Sequence, residues 1–557
     1  MPLLSEIERR SPVGRLIMGT IYLLLILGGI SMVYPFMLMI GTSMTSHADN
    51  EEFTAWPAYL TDNTALFQKY LAERYDQDVA VYNQMQGESY VSFTDIEGHE
   101  VRPGDRARAA DIEQFIDGEI RPGRIALTHV FYRKYRYRVL AAYNDWLGEQ
   151  FGDLDTINRR YGETEHYPGQ FQFPYDAPLY RLPFTQDSAK EKDWRQFKRE
   201  VPWSWICLPS GHGRYRMFLN ERYMGLGDLN RVRETRLASV DDVWLPWERP
   251  SHPVRRADWE AFVAKVWPQH LIEPDGSLLT PTRLWAGFLQ RTYAGNLERL
   301  NAAHHAQYAS FDAAPIPYGS ADRIDFGDSR GQWRWEFMTG NYATIFDFLF
   351  VHGRAGFNTL VLVLGTILLQ LTVNPLCAYA LSRFKLSTAF SILLFCLATM
   401  SFPAEVAMIP NFLLMKEFHL LNTYWALLLP TAANGFFIFL LKGFFDSLPD
   451  ELFEAASLDG AGPLGTFWRI AVPLCKPVLA VIALQAFVVS YGSFMWAYVV
   501  CQDADLWTLM VYIHQLQIGN PVHLVMAALT LASFPTLIVF LLCQRIILRG
   551  IVVPTMK

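Results

Sequence analysis

An all-α polytopic membrane protein with six spans, carrying an inserted soluble α/β domain of about four repeats, is the fold class this 557-residue sequence predicts. Three observations carry that prediction. Apolar runs long enough to cross a bilayer lie near both ends of the chain, charge is concentrated in one block between them, and that block repeats itself. Hydrophobic residues make up 51% of the chain and charged ones only 18%. Residues 45–355 hold 44 of the 55 acidic and 36 of the 48 basic side chains. The composition excludes disorder and a disulfide scaffold, and a formal charge of −7 offers no cationic surface for nucleic acid.

The first span is residues 16–44, an unbroken run without a charged side chain, preceded by Arg9, Arg10 and Arg15. A bilayer core needs about 20 apolar residues in a helix, so the run spans. It is too long for a signal peptide, and no small-x-small cleavage site follows it. From residue 357 onward, further helices are predicted at about 358–381, 388–410, 423–443, 477–500 and 523–544. Lys and Arg mark the cytoplasmic ends of spans. Arg9, Arg10 and Arg15, then Arg383 and Lys385, then Lys442, Arg469 and Lys476, then Arg545, Arg549 and Lys557 fall on one side, with Lys416 the exception. The pattern places both termini inside the cell and residues of about 45–355 outside the membrane. The last external loop, about 501–522, carries Asp503 and Asp505 and no Lys or Arg. One cysteine, Cys207, lies in the outer block, so that block must be held by its own core.

Between the fourth and fifth spans, residues 446–477 form a cytoplasmic loop. Ser447 is placed to cap a short helix with Pro449 in its first turn, where Asp450 and Glu451 suit the positive end of the helix dipole. Gly460 ends that helix and a second begins near Pro463. The result is a knob with Glu451, Glu454 and Asp459 exposed and an apolar face of Leu452, Phe453, Ala456 and Leu458. Such a surface suits a cationic groove on a partner better than the anionic headgroups of an inner leaflet.

Glu454-Ala455-Ala456, Asp459-Gly460-Ala461, Phe467, Ile470 and Pro473 resemble the EAA signature of permease subunits in binding-protein-dependent ABC importers. The 378–384 segment, Ile409-Pro410, the 420–427 segment and the 439–445 segment are similar to the carbohydrate-uptake branch, the maltose-transporter type. The resemblance covers about 10–45 and 338–557 and implies a type I ABC importer permease fold for a sugar or related small solute. It implies that Glu454, Ala455, Ala456, Asp459, Gly460, Phe467 and Pro473 belong to the loop that docks into an ATPase. The partners implied are two ATP-binding cassette ATPase subunits, a second and non-identical permease, an extracytoplasmic solute-binding protein and the lipid bilayer of the bacterial inner membrane. The chain then divides into 1–44 (N-terminus and first span), 45–337 (insertion) and 338–557 (permease core). No Gly-x4-Gly-Lys-Ser/Thr pattern occurs, so ATP energy is expected from another subunit and the chain is read as a transport subunit, with no cofactor and no metal. In the fifth span, Tyr491-Gly492-Ser493-Phe494 stands where the family commonly has Trp-Asn-Asp/Glu-Phe.

Glu405 is the one acid placed inside a span, and an intramembrane carboxylate is a functional candidate by default. Asn374 and Asn434 are further pathway candidates, although buried amides in spans often tie helices together.

The outer block repeats an aromatic-Leu-x3-aromatic pattern followed by Asn: Tyr70-Leu71…Tyr75…Asn83, Trp146-Leu147…Phe151…Asn158, Phe218-Leu219…Tyr223…Asn230 and Phe288-Leu289…Tyr293…Asn301. The anchor aromatics Tyr70, Trp146, Phe218 and Phe288 recur at a nearly constant interval. Extended pieces at 239–246 and 310–317 follow two copies, and helix starts are expected at Asp193-Trp194 and Asp258-Trp259. Four helix–turn–strand–helix units result, with the aromatics as core anchors and Asn as a turn or capping residue. Two rival readings are a membrane-tethered carbohydrate-active enzyme, with carboxylates such as Asp241 and Asp242, and a receptor that keeps a permease scaffold without transport.

Overall fold

The structure is a computed structural model. It describes residues 12–49, 53–75, 77–86, 88, 90–121, 129–130, 138–165, 171–172, 174, 188–208, 211–267, 271–351, 353–384, 386–399 and 403–549. Arg9, Arg10, Lys385, Lys557 and the tail after 549 lie outside them, as do the side chains of Arg545 and Arg549. The described residues fall into two compact units. One comprises parts of Met1–Met44, Phe53–Ala55 and Asn341–Lys557; the other comprises Thr45–Glu52 and Trp56–Gly340.

The first unit is helical. Three of its helices, within Pro12–Ser43, Ala355–Arg383 and Val522–Arg549, are long and apolar enough to cross a bilayer, and up to five spans result if each of two bent pairs counts as one. Of the six spans expected, three are single long helices among the described residues, and the others are interrupted at places with a local cause. The third predicted span resolves into Ala389–Thr399 and Ala404–Glu417, the second restarting behind Pro403, which lacks an N–H to donate backwards. The fourth bends by 48° between Tyr424–Thr431 and Gly435–Asp446, with Asn434 capping the second half. The fifth stops at Tyr491 and resumes as Met495–Val500, and Pro463–Leu474 meets Lys476–Tyr491 at 81°.

Helix Pro12–Ser43 exposes Leu23, Leu24, Leu25 and Ile26 around its circumference, as a membrane-spanning helix does. It packs along Val522–Arg549, whereas Ala355–Arg383 packs on both Gly435–Asp446 and Lys476–Tyr491. A Cβ at Gly435 would lie 2.3 Å from the Cys396 carbonyl oxygen. The absence of a side chain is what lets the two backbones approach.

The second unit holds the four copies. Each is a helical hairpin, and in each the predicted Asn performs one task. Its amide closes on the peptide group seven residues ahead, donating to the carbonyl and accepting from the N–H. Asn83 does this with Tyr90 (2.7 and 2.9 Å), Asn158 with Glu165 (2.8 and 2.9 Å), Asn230 with Leu237 (3.0 and 2.9 Å) and Asn301 with Tyr308 (3.2 and 2.8 Å). A side chain thus satisfies the backbone of the extended piece that leaves each hairpin.

That bond is one reason the expected α/β class is corrected. Among the described residues the strands amount to one two-residue antiparallel pair, His129–Val130 with Ile206–Cys207, and a single bridge between Ile272 and Leu278. The pieces at 239–246 and 310–317 open with 3-10 turns at Val240–Asp242 and Phe311–Ala313. Pro246, Pro315 and Pro317 remove donors that a ladder would need. Asp193 and Asp258 likewise do not start helices; they are buried inside Ala189–Glu200 and Pro253–Lys265.

Those aspartates reveal a fourth recurring element that the sequence pattern only half displayed. A third helix carries Asp-x3-Phe in every copy: Asp111…Phe115, Asp193…Phe197, Asp258…Phe262 and Asp322…Phe326. Each Asp receives a tyrosine hydroxyl and a basic side chain. Asp193 takes Tyr161 (3.0 Å) and Arg160 (2.6 Å), and Asp258 takes Tyr223 (2.8 Å) with Arg222 and Arg233. In these two copies the hairpin pairs with the third helix that follows it. The outer copies exchange theirs. Hairpin 63–86 pairs with Asp322, through Arg74 and the Tyr75 hydroxyl (both 2.6 Å), and hairpin 281–304 pairs with Asp111, through Tyr293 (2.7 Å) and His304 (2.8 Å). The aromatic packing agrees: Phe326 meets Phe67 and Tyr70, and Phe115 meets Trp285 and Phe288. The exchange joins the first and last parts of the unit, with Tyr59 edge-on to Phe337 at 5.8 Å.

Candidate coupling loop and membrane cleft

The sequence 449–474 folds as a short helix, a tight turn and a second helical piece. Helix Asp450–Leu458 starts behind Pro449, which donates no cap; Ser447 instead ends the preceding helix, its hydroxyl donating to the Phe444 carbonyl at 2.7 Å. The expected Ser447 cap is thereby corrected, because Pro449 at the N-cap already fixes the chain's entry angle. Asp450 and Glu451 occupy the first turn. The C-terminus closes as expected at Gly460, whose φ is +80°. The Ala461 N–H reaches the Ala456 carbonyl at 2.9 Å and the Gly460 N–H reaches Ser457 at 3.1 Å, the double bond of a Schellman motif.

Glu451, Leu452, Glu454, Ala455, Leu458 and Asp459 are exposed, Leu458 at 90%. Glu451, Glu454, Ala455 and Leu458 share one helical face at intervals of three or four. Ala456 and Phe467 are buried, and Pro473 is exposed in the short helix Val472–Leu474. The signature thus divides by burial: Ala456 and Phe467 face inward, whereas Glu454, Ala455 and Asp459, with the neighbouring Leu458, face outward.

In the seat beneath the knob, Phe467 is joined by residues outside the signature, Tyr379, Arg383, Phe445 and Phe453. Phe467 packs on Tyr379 at 5.2 Å, and Tyr379 also meets Phe445 and Phe453. The Arg383 guanidinium lies 3.7 Å over the Phe453 ring, donates to the carbonyls of Phe445 and Leu448 (3.1 Å for the latter), and reaches Asp450 at 2.5 Å. Asp450 is 82% exposed, so its ion pair contributes at most about 1 kcal/mol. The charged bonds to carbonyls, about 1.5–3 kcal/mol each, and the ring contact, about 0.5–2 kcal/mol, decide the position of Arg383. One side chain therefore ties the end of helix Ala355–Arg383 to the end of Gly435–Asp446 and to the knob. In the sequence Arg383 is a positive charge at a span end and a member of the 378–384 segment, and neither reading gives it this bridging position.

Within the helices lies a cleft of about 420 Å³. Gln370, Asn434 and Gln485 supply its polar wall; Phe436, Phe437, Leu440, Val481, Ala486 and Val489 supply the rest. Gln370 donates to the Thr431 carbonyl at 3.0 Å, at the helix break, while its side-chain oxygen is buried without a partner. An unmet buried acceptor costs about 1–3 kcal/mol. Of the predicted pathway residues, Asn434 lines the cleft and caps the Gly435 helix through Phe437 (3.1 Å). Asn374 sits one turn behind Gln370, fully buried, accepting from the Asn434 N–H at 2.8 Å. It ties helices together rather than lining the cleft. Glu405 is not brought to this site: it is exposed in the first turn of Ala404–Glu417, where the helix dipole favours a carboxylate. Gln370 and Gln485 were passed over in the sequence. Their signal was an amide on an otherwise apolar run, doubled at 370 and 374 by helical spacing.

Residues 376–553, which contain the knob and most of the cleft, match the family model "binding-protein-dependent transport system inner membrane component". Among curated relatives, the sn-glycerol-3-phosphate transport system permease protein UgpE of Yersinia pestis is 34% identical over 224 residues, 39% of this chain and 77% of its own length. The polygalacturonan/rhamnogalacturonan transport system permease protein YtcP of Bacillus subtilis is 32% identical over 238 residues, 40% of this chain and 82% of its own. A solved bacterial ABC transporter involved in the import of the acidic polysaccharide alginate aligns at a TM-score of 0.33 and 28% identity, over 37% of this chain and 78% of that one. Because a relative 34% identical is matched over 77% of its own length, the chain belongs to the family of inner-membrane permease components of binding-protein-dependent transport systems, as a multi-pass membrane protein.

Proposed function

We propose that this chain forms half of the translocation pathway of a type I ABC importer for a sugar or related small solute, and that residues 446–477 couple it to ATP hydrolysis by a separate subunit. The single observation that carries this reading is the knob. An acidic, leucine-tipped helix is held outward while Tyr379, Arg383, Phe453 and Phe467 lock its base to two membrane helices. A push on Glu454 or Leu458 is then delivered to helices Ala355–Arg383 and Gly435–Asp446 as one body, and the cleft lies between those helices and Lys476–Tyr491. Rocking of such helices against a second, non-identical permease would open the cleft to alternate sides. The partners of this reading are two ATPase subunits, that permease and an extracytoplasmic solute-binding protein, with both termini and the knob cytoplasmic and the 45–337 insertion external.

Reversing the charge of the knob tests the proposal. Glu454→Lys, in the full chain, is expected to reduce the co-purifying ATPase at least tenfold. Undiminished co-purification and uptake, or labelling of a cysteine introduced at Leu458 from the external face, would reject the reading.

A further inference from the structure

Helix Ala355–Arg383 holds the knob at one end, through Tyr379 and Arg383. Its other end holds a second segment. Asn358 and Thr359 lie in the first turns of the helix and are buried, at 0% and 5% exposure. Both amide hydrogens of Asn358 are used: they go to the carbonyls of Asp505 (2.8 Å) and Trp507 (3.0 Å), and the amide oxygen accepts from the Tyr424 hydroxyl (2.6 Å). The Thr359 hydroxyl accepts from the Leu509 N–H at 2.7 Å and donates to the Ala355 carbonyl at 2.8 Å. Side chains of the helix thus satisfy the backbone of segment 501–509, which joins Met495–Val500 to Leu509–Gly519. Asn422 steadies the same segment from another direction, its amide oxygen accepting from the N–H groups of Gln502 (2.7 Å) and Asp503 (3.1 Å). Above these bonds Gln502, Asp503, Ala504 and Asp505 stand exposed.

Between its ends the helix runs without a break for 29 residues, about 43 Å. A buried amide is costly unless its hydrogen bonds are made, and those of Asn358 are made to the backbone of 501–509 and to Tyr424. A continuous helix that grips an exposed element at each end moves both when it moves. Coupling over such a distance is carried by rigid elements and hydrogen-bond networks of this kind. We propose that Asn358 and Thr359 are positioning residues for coupling: they fix segment 501–509 to helix Ala355–Arg383, so that a displacement of the knob reappears at that segment. This rests on the knob being the coupling element, as read above, and adds where in the chain its displacement arrives. Coupling is reciprocal, so a load placed on 501–509 biases the knob in turn.

The test measures amide exchange on the full chain, purified with its partner subunits in lipid nanodiscs, first without nucleotide and then trapped with MgATP and vanadate. In the parent, trapping is expected to change exchange over both 450–461 and 502–509. Asn358→Leu combined with Thr359→Val preserves side-chain volume and removes the bonds to the segment. This pair is expected to keep the change over 450–461 and to shrink that over 502–509 at least fivefold. Asn422→Gly loosens the same segment without touching the helix, and glycine tolerates the φ of +56° at that position. It is expected to keep both changes, which a role limited to holding the segment in shape does not predict. If the double variant fails to assemble, Thr359→Val alone cuts the Leu509 bond and is expected to halve the response over 502–509. A response there that survives the helix variants, is lost equally in Asn422→Gly, or is absent from a parent whose 450–461 responds would overturn the inference and leave the coupling loop standing. No response over 450–461 in the parent would remove both.

Discussion

Arg383 shows how much can depend on one side chain that a motif leaves out. Its guanidinium spans the ends of two membrane helices and the base of the knob, and every bond that holds it uses the planar fork or the ring contact. A lysine would keep the charge but not the geometry, because an ammonium cannot donate in parallel to two carbonyls and lie flat on Phe453. Arg383→Lys is therefore expected to leave the complex assembled while lowering solute-stimulated ATP hydrolysis several-fold. Equal loss of basal and stimulated hydrolysis, measured on the same preparation, would refute a role in transmission. Asn374 makes a related point: its side-chain oxygen accepts from the Asn434 N–H at the break in the neighbouring helix, and its NH2 donates to the Gln370 carbonyl of its own helix.

At the scale of elements, the ends of helices decide more than their middles. The helix Asp450–Leu458 has no side-chain N-cap, so its closure at Gly460 carries its definition. A Cβ at Gly460 would meet nothing within 4 Å, so the cost of replacing it is conformational rather than steric. Gly460→Ala is expected to destabilise the knob helix by about 1 kcal/mol, with Gly460→Asn milder, read as faster amide exchange over 450–461. Unchanged exchange would mean that the knob is held by its seat alone. The broken fourth span follows the same logic: Asn434 restarts a helix after the bend, and that restart is what places an amide and two phenylalanines in the cleft.

At the scale of the whole molecule, the unit of Thr45–Glu52 and Trp56–Gly340 closes through an exchange between its first and last copies. Asp322 is buried, and its carboxyl is held above the ordinary range by that burial, against the pull of Arg74 and the Tyr75 hydroxyl. Removing it strands the buried Arg74, a loss of about 3–5 kcal/mol for a broken buried pair. Asp322→Ala is thus expected to accelerate amide exchange over 63–86, at the opposite end of the insertion's sequence, while Asp258→Ala should affect 212–233. Protection of 63–86 unchanged by Asp322→Ala would contradict the exchanged pairing. The exchange also has a consequence for the path of the chain: with its first and last copies interlocked, this unit begins and ends at one place, as the contact between Tyr59 and Phe337 records.

The sequence by itself determined the membrane helices at the two ends, the acidic knob with its terminating glycine, and the four-fold recurrence with its asparagines. These are local properties: apolar length, cap chemistry and spacing are each complete within a short stretch of chain. Tertiary structure alone decided that Glu405 and Asn374 stand apart from the cleft while Gln370, Asn434 and Gln485 line it, because which helix faces meet is not written in any one stretch of chain. It also decided the helical character of the second unit and which third helix each hairpin takes. Buried charge has to find its counter-charge in space, and nothing in the order of residues along a chain says which copy will supply it.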